Sequence, residues 1–108
     1  MGNTLRLSGH TGEDVNGVFA VDVEDQIRGA FRNTASTLAE AGVGWPNVVE
    51  IHSYHLGLGS QGAALLRIAA EFLEAPYPAW TAVGVVELFS PKALVEIRCI
   101  AVVEDRHQ

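Results

Sequence analysis

The sequence predicts an α+β domain, a mixed β-sheet with two helices packed on one of its faces. Strand-like and helix-like periods alternate along the chain in the order β(β)αβαββ. Each helical stretch carries a single apolar stripe, so each can cover only one side of a sheet. The strands at residues 76–104 are apolar on both faces, more than two helices on one side can cover. The bare face is therefore expected to be too apolar for water and to pack against neighbouring subunits. At 108 residues the chain fits a single domain, expected over 1–108.

Each element has its own local signal. Residues 4–8, TLRLS, alternate polar and apolar as a strand does, and Gly9 closes them. Residues 11–17, TGEDVNG, read as a loop, and Val18-Phe19-Ala20 as a short second strand. Asp22 is placed to cap a helix over about 22–41, with Glu24 and Asp25 in the first turn, where the helix dipole favours negative charge. Ile27, Ala30, Phe31, Ala35, Leu38 and Ala39 form its apolar stripe, and Gly42 stops it. A turn at Trp45-Pro46-Asn47 leads into a strand over 48–56, VVEIHSYHL. Gly57 and Gly59 end that strand, and Ser60 is expected to cap a second helix reaching about Leu73. Pro76 and Pro78 break it before a long C-terminal hairpin that turns at Ser90-Pro91-Lys92.

Composition narrows the partners. Seven Lys and Arg against thirteen Asp and Glu give a net charge of −6, and no basic cluster interrupts it. That balance opposes binding to nucleic acid or to an anionic membrane. No apolar run reaches the length of a bilayer span and no leader segment is visible. The single cysteine, Cys99, lies within the last strand and reads as a small core hydrophobe, so a reducing, cytoplasmic setting is expected. His52 and His55 stand three apart on a strand and point to opposite faces; His10 reads as a loop residue and His107 as part of a tail. No metal site is expected, since no Cys or Asp/Glu cluster stands at ligand spacing, and no cofactor, since Gly57-Leu58-Gly59 lacks the rest of a phosphate-loop pattern.

Several short stretches, in order and at consistent spacing, resemble the Rid superfamily, also called the YjgF family. LSGHTG at 7–12 looks like the family's first strand end, and QIRGAFRN at 26–33 like its first helix. Ala39-Glu40-Ala41-Gly42 resembles that helix's ending and Val48-Val49-Glu50 the start of the next strand. Pro78-Ala79-X-Thr81 and Leu94-Val95-Glu96-Ile97 resemble the two C-terminal signatures. The resemblance runs from about residue 3 to 104. It implies a chorismate-mutase-like fold, a homotrimer and three clefts at the subunit interfaces. It also implies hydrolysis of imines or enamines such as 2-aminoacrylate to keto acids and ammonia.

The departures from the family pattern bear on that activity. Where the resemblance places an arginine that grips the substrate carboxylate, this chain has Trp80, whose indole offers one donor and no charge. The family's cleft asparagine falls near Leu66. The family's N-terminal segment, with a Gly-Pro-Tyr motif lining the cleft, is expected to be absent. Glu96 holds the position of the cleft glutamate, which would orient or deprotonate the attacking water.

Four residues are therefore candidates for the site. Glu96 has two readings, a catalytic base or a structural group paired with Arg98 or with a residue across the interface. Arg98 stands two residues further along the same face, roughly 6.6 Å away, and is a candidate anion-binding group. Trp80 is a candidate pocket wall for a flat or apolar ligand, and equally an interface residue. Tyr54 can offer its hydroxyl to the cleft. Two functions follow: a Rid-like hydrolase with an altered substrate, or a non-catalytic trimer that binds a small metabolite in its interfacial clefts.

Overall fold

The computed structural model describes residues 2–104, so His107 lies outside them. Strand β1 (Gly2–Arg6) and the two-residue β2 (His10–Thr11) precede helix α1 (Val23–Glu40). A 3₁₀ turn over Trp45–Asn47 leads into β3 (Val48–His55), then helix α2 (Leu58–Ala69), β4 (Ala79–Gly84) and β5 (Val95–Glu104). The sheet runs β1-β5-β3-β4, with β2 pairing β5 beside β1. Strand β5 is antiparallel to β1, β2 and β3, whereas β4 is parallel to β3. The expected α+β architecture with a mixed sheet is present.

Side-chain alternation fixes which face is covered. Ile51 of β3 and Val95, Ile97, Cys99 and Ala101 of β5 are buried beneath the helices. Ile27, Ala30, Phe31 and Leu38 of α1 and Leu65 and Ile68 of α2 meet them there. Burial pushes the Cys99 thiol up to about 11, and it packs as a hydrophobe. Phe31 stacks on Phe72 at 5.0 Å and lies 5.4 Å from Trp45 and 6.0 Å from Trp80, an aromatic cluster at one end of the core.

The structure corrects five expectations. Residues 76–104 do not form a hairpin: β4 and β5 flank β3 on opposite sides, joined by an irregular connection over 85–94. Ten residues can cross the end of the intervening strand, whereas paired hairpin strands need a tight turn. Val18-Phe19-Ala20 is not a strand; the short ladder falls instead on His10–Thr11, against Glu96 and Ile97. Asp22 sits at the N-cap of α1 without a side-chain capping bond. Helix α2 starts at Leu58 after a left-handed Gly57, φ 78°, and ends at Ala69, so Ser60 lies inside it and donates back to Gly57 O. The bare face, finally, is polar at its centre: Glu50, His52 and Tyr54 of β3 and Glu96 and Arg98 of β5 share it, with Ile100 and Val102 further along.

Buried amides stitch the irregular parts to this frame. Gln26 of α1, 1% exposed, donates to Ala20 O and Lys92 O while accepting from the Leu94 N–H. Asn33 donates to Thr11 O and Glu13 O, 2.8 and 2.9 Å away. Loop 9–20 and connection 85–94 are thus held by side chains of a helix already anchored in the core.

Candidate functional site

Glu96 lies at the centre of the bare face. Its strand neighbours in register are Tyr54 of β3 on one side and Thr11 of β2 on the other. Gly9 completes the setting: a Cβ built on Gly9 would stand 2.0 Å from Glu96 Oε2 and 2.6 Å from its carboxyl carbon. The carboxylate therefore packs against the Gly9 backbone, and any side chain at that position would have to displace it. The glycine of the LSG stretch thus has a steric role beyond ending a strand.

The ion pair between Glu96 and Arg98 is not formed. Among the described residues the salt bridges on and around the helices join Arg28 to Glu71 at 2.7 Å and Arg67 to Glu24 at 2.9 Å. On the bare face His52 pairs with Glu50 through its Nε2. Arg98 stands opposite His52 in the β3–β5 ladder, and both are half-buried. Glu96, Arg98 and Tyr54 are therefore brought together on one face, with His52 and Glu50 as neighbours.

Trp80 is elsewhere. It pairs with Ile51 in the parallel β3–β4 ladder and so faces the helices, on the side of the sheet opposite Glu96. Within one chain the two residues do not meet. Trp80 forms one wall of a cavity of about 290 Å³ between α2 and β4. Leu66, Ala69, Leu73, Tyr77 and Pro78 make up most of the rest. Leu66 and Trp80, two of the departures noted in the sequence, thus line one apolar hollow. Leu66 is 71% exposed and forms its outer lip.

Behind Trp80 lies a buried polar chain that sequence reasoning missed. The indole Nε1–H donates to Ser53 Oγ at 2.8 Å, and Ser53 Oγ lies 2.8 Å from His55 Nε2. His55 Nδ1 lies 2.8 Å from Gln61 Oε1, and Gln61 Nε2 donates to Leu56 O and Leu94 O. Ser53 and His55 are fully buried and Gln61 is 2% exposed. Burial holds the His55 imidazole below its usual range, against the opposing pull of Gln61. One signal was available in the sequence. Ser53 and His55 share the parity of Ile51, so two polar side chains fall on the core face of a strand.

Comparison with known proteins agrees with this architecture. The family model described as endoribonuclease L-PSP matches residues 1–103. The chain belongs to that family, the YjgF or Rid family. It is 36% identical over 85 residues to the RutC family protein YjgH of Escherichia coli, covering 78% of this chain and 65% of that protein. The match thus spans just under two thirds of the E. coli relative. A 2-iminobutanoate/2-iminopropanoate deaminase of Dermatophagoides farinae is 34% identical over 107 residues, 96% of this chain and 81% of that one. The solved structure of protein YjgH superposes with a TM-score of 0.87 at 34% identity, covering 95% of this chain and 78% of that chain. RidA from the Antarctic bacterium Psychrobacter gives 0.89 at 30% identity, covering 95% and 83%.

Proposed function

We propose that this protein acts on small reactive metabolites of the imine or enamine type. Its substrate differs from that of the carboxylate-binding deaminases. The observation that carries the reading is the setting of Glu96. Its carboxylate is seated against Gly9, in register with Tyr54 and without an ion pair to Arg98, on an otherwise unused face of the sheet. Membership of a family that includes a 2-iminobutanoate/2-iminopropanoate deaminase supports hydrolysis as the reaction class. Glu96 would take a proton from water as the hydroxide adds to the iminium carbon, then pass that proton to the amino nitrogen of the carbinolamine; ammonia would leave as the C=O forms and the hydroxyl proton is lost to Glu96 or water.

The same reading includes a homotrimer. Glu96 and Trp80 lie on opposite faces of one chain, so a single copy does not combine them. A cleft between copies would bring the Glu96 face of one against the Trp80 edge of the next. The apolar hollow beside Trp80 favours a second reading, a trimer that binds a small metabolite without turning it over. The family description names an endoribonuclease, but a net charge of −6 weighs against a nucleic-acid substrate here.

The deciding assay is ammonia release from imines generated in situ. An amine oxidase supplies carboxylate-free imines and an amino-acid oxidase supplies 2-imino acids. Turnover is expected on the first group. On the second it should fall roughly 10–150-fold below an arginine-bearing relative, the worth of one charge-assisted contact at ~1.5–3 kcal/mol. Equal turnover of 2-imino acids by the two proteins refutes the altered substrate. Binding of a carboxylate-free imine's amine analogue with no turnover of either group selects the non-catalytic reading.

A further inference from the structure

We propose that Ser53, His55 and Gln61 are positioning residues that hold the Trp80 indole with its N–H turned away from the cavity, making the cavity selective for uncharged, apolar ligands. This deepens the reading above and rests on it for the use of the cavity.

The hydrogen-bond directions along the chain are fully determined by its far end. Gln61 Nε2 donates to two backbone carbonyls, at 2.7 and 3.1 Å, so its amide orientation is fixed and Oε1 faces His55. An amide oxygen only accepts, so His55 Nδ1 carries the proton. Burial disfavours a second proton on the ring, which leaves Nε2 to accept from the Ser53 hydroxyl. The Ser53 oxygen, having given its proton to His55, offers lone pairs to the Trp80 Nε1–H. Every donor in the chain has an acceptor and no member can reverse alone.

The consequence falls on the cavity. The one polar atom of Trp80 is committed inward, so the indole presents carbon alone to the space it lines. Of the other walls, Leu66, Ala69, Leu73 and Pro78 add no side-chain donor, and the hydroxyl of Tyr77, 70% exposed, is the one polar side-chain group among them. A carboxylate entering there would lose water and meet no cation, only the exposed Tyr77 hydroxyl, whereas an aromatic or aliphatic group would gain ring contact. A cavity of about 290 Å³ suits a molecule of one or two rings. Ser53 and His55 have the spacing of a nucleophile and its base, but both are fully buried behind the indole, so their effect on a ligand passes through Trp80.

Two measurements on the full chain test this. The first needs no ligand: the Trp80 indole N–H signal in nitrogen-15 NMR, assigned by its loss in Trp80→Phe. It should be shielded from solvent exchange, and Ser53→Ala should speed its exchange at least about tenfold, as expected for a lost internal hydrogen bond. His55→Gln, which keeps an acceptor and a donor, should restore more of the shielding than His55→Leu. The second is calorimetric binding of indole and of benzoate, with Ser53→Ala and Trp80→Phe made singly and together. Indole should bind and benzoate should not. Ser53→Ala should weaken indole about tenfold with Trp80 present and hardly at all in the Trp80→Phe background, a coupling that a merely structural serine would not produce. Exchange unaffected by Ser53→Ala, or equal losses in both backgrounds, overturns the positioning role. Benzoate binding as tightly as indole, or indole failing to bind a protein whose indole N–H is shielded, overturns the selectivity while the positioning stands. A Ser53→Ala protein that fails to fold shifts the test to the two His55 variants. There, equal exchange in both overturns the proposal.

Discussion

At the scale of single residues, Glu96 is the most informative position. Its carboxylate makes no ion pair with Arg98, so of the two structural partners only a residue across the interface remains, and as a catalytic group its mutation is expected to spare stability. Glu96→Gln keeps shape while removing the base. It should lower ammonia release by about 10²–10⁴-fold, the usual scale of general base catalysis, with the melting temperature unchanged. An early-melting variant would restore the structural role. His55 makes a different prediction. Burial lowers its pKa in the folded protein below the ordinary value of 6.5. The unfolded chain then takes up a proton that the folded one refuses, so stability is full above about pH 6.5–7 and declines as pH falls below 6.5. Chemical denaturation at stepped pH should show this slope, and His55→Gln should flatten it. A slope identical in the variant would assign the acid sensitivity to other groups. Of these residues the sequence reveals Glu96, Arg98, Tyr54 and Trp80 by position and by departure from a pattern. It does not reveal that Trp80 and Glu96 face opposite ways, because that depends on the registers in which β4 and β5 pair with β3. Nor does it point directly to Ser53, His55 and Gln61, whose significance appears only once a strand face and a helix end are brought together.

At the scale of elements, helices α1 and α2 and strand β3 are legible because their apolar periods are long and uninterrupted. The C-terminal strands are legible as strands but not as partners. Local sequence favours joining neighbours by a hairpin, and only the full topology inserts β3 between them. The crossing of α1 over the loop that follows β2 is equally hidden, yet backbone meets backbone closely there. A Cβ on Gly29 would lie 2.5 Å from Gly12 O, and one on Gly12 would lie 2.0 Å from Gln26 O. Backbone atoms on both sides leave no flexible group to yield. Gly29→Ala is therefore expected to cost about 1–3 kcal/mol despite the better helix propensity of alanine, the range for overpacking a tight site. Gly62 in α2 is the matching control, since nothing lies within 4 Å of its Cβ position. Gly62→Ala should gain roughly 0.5–1 kcal/mol, the propensity difference alone. Urea denaturation of the two variants side by side measures the contrast, and a Gly29→Ala protein as stable as the parent would show that α1 can shift on the loop.

At the scale of the whole molecule, the question is what covers the bare face of the sheet. Its centre carries Glu50, His52, Tyr54, Glu96 and Arg98, a mixture too polar to be an ordinary hydrophobic core. Around that centre lie Ile100 and Val102, with Val83 39% exposed on the edge strand β4. Apolar margins around a polar middle suit an interface whose interior remains a wet, functional cleft rather than a sealed contact. Val86 and Phe89, 92% and 103% exposed in the connection before β5, add apolar surface at one end. An isolated chain would leave all of these in water, and single soluble domains seldom expose so many large apolar groups together. A homotrimer is accordingly expected in dilute buffer. Light scattering should give about three times the single-chain mass of 11.6 kDa. Phe89→Asp should lower that mass if the connection lies in the interface. A parent protein that scatters as a single chain while still releasing ammonia from an imine would place the reaction within one copy. It would separate the function of Glu96 from any cleft shared with Trp80.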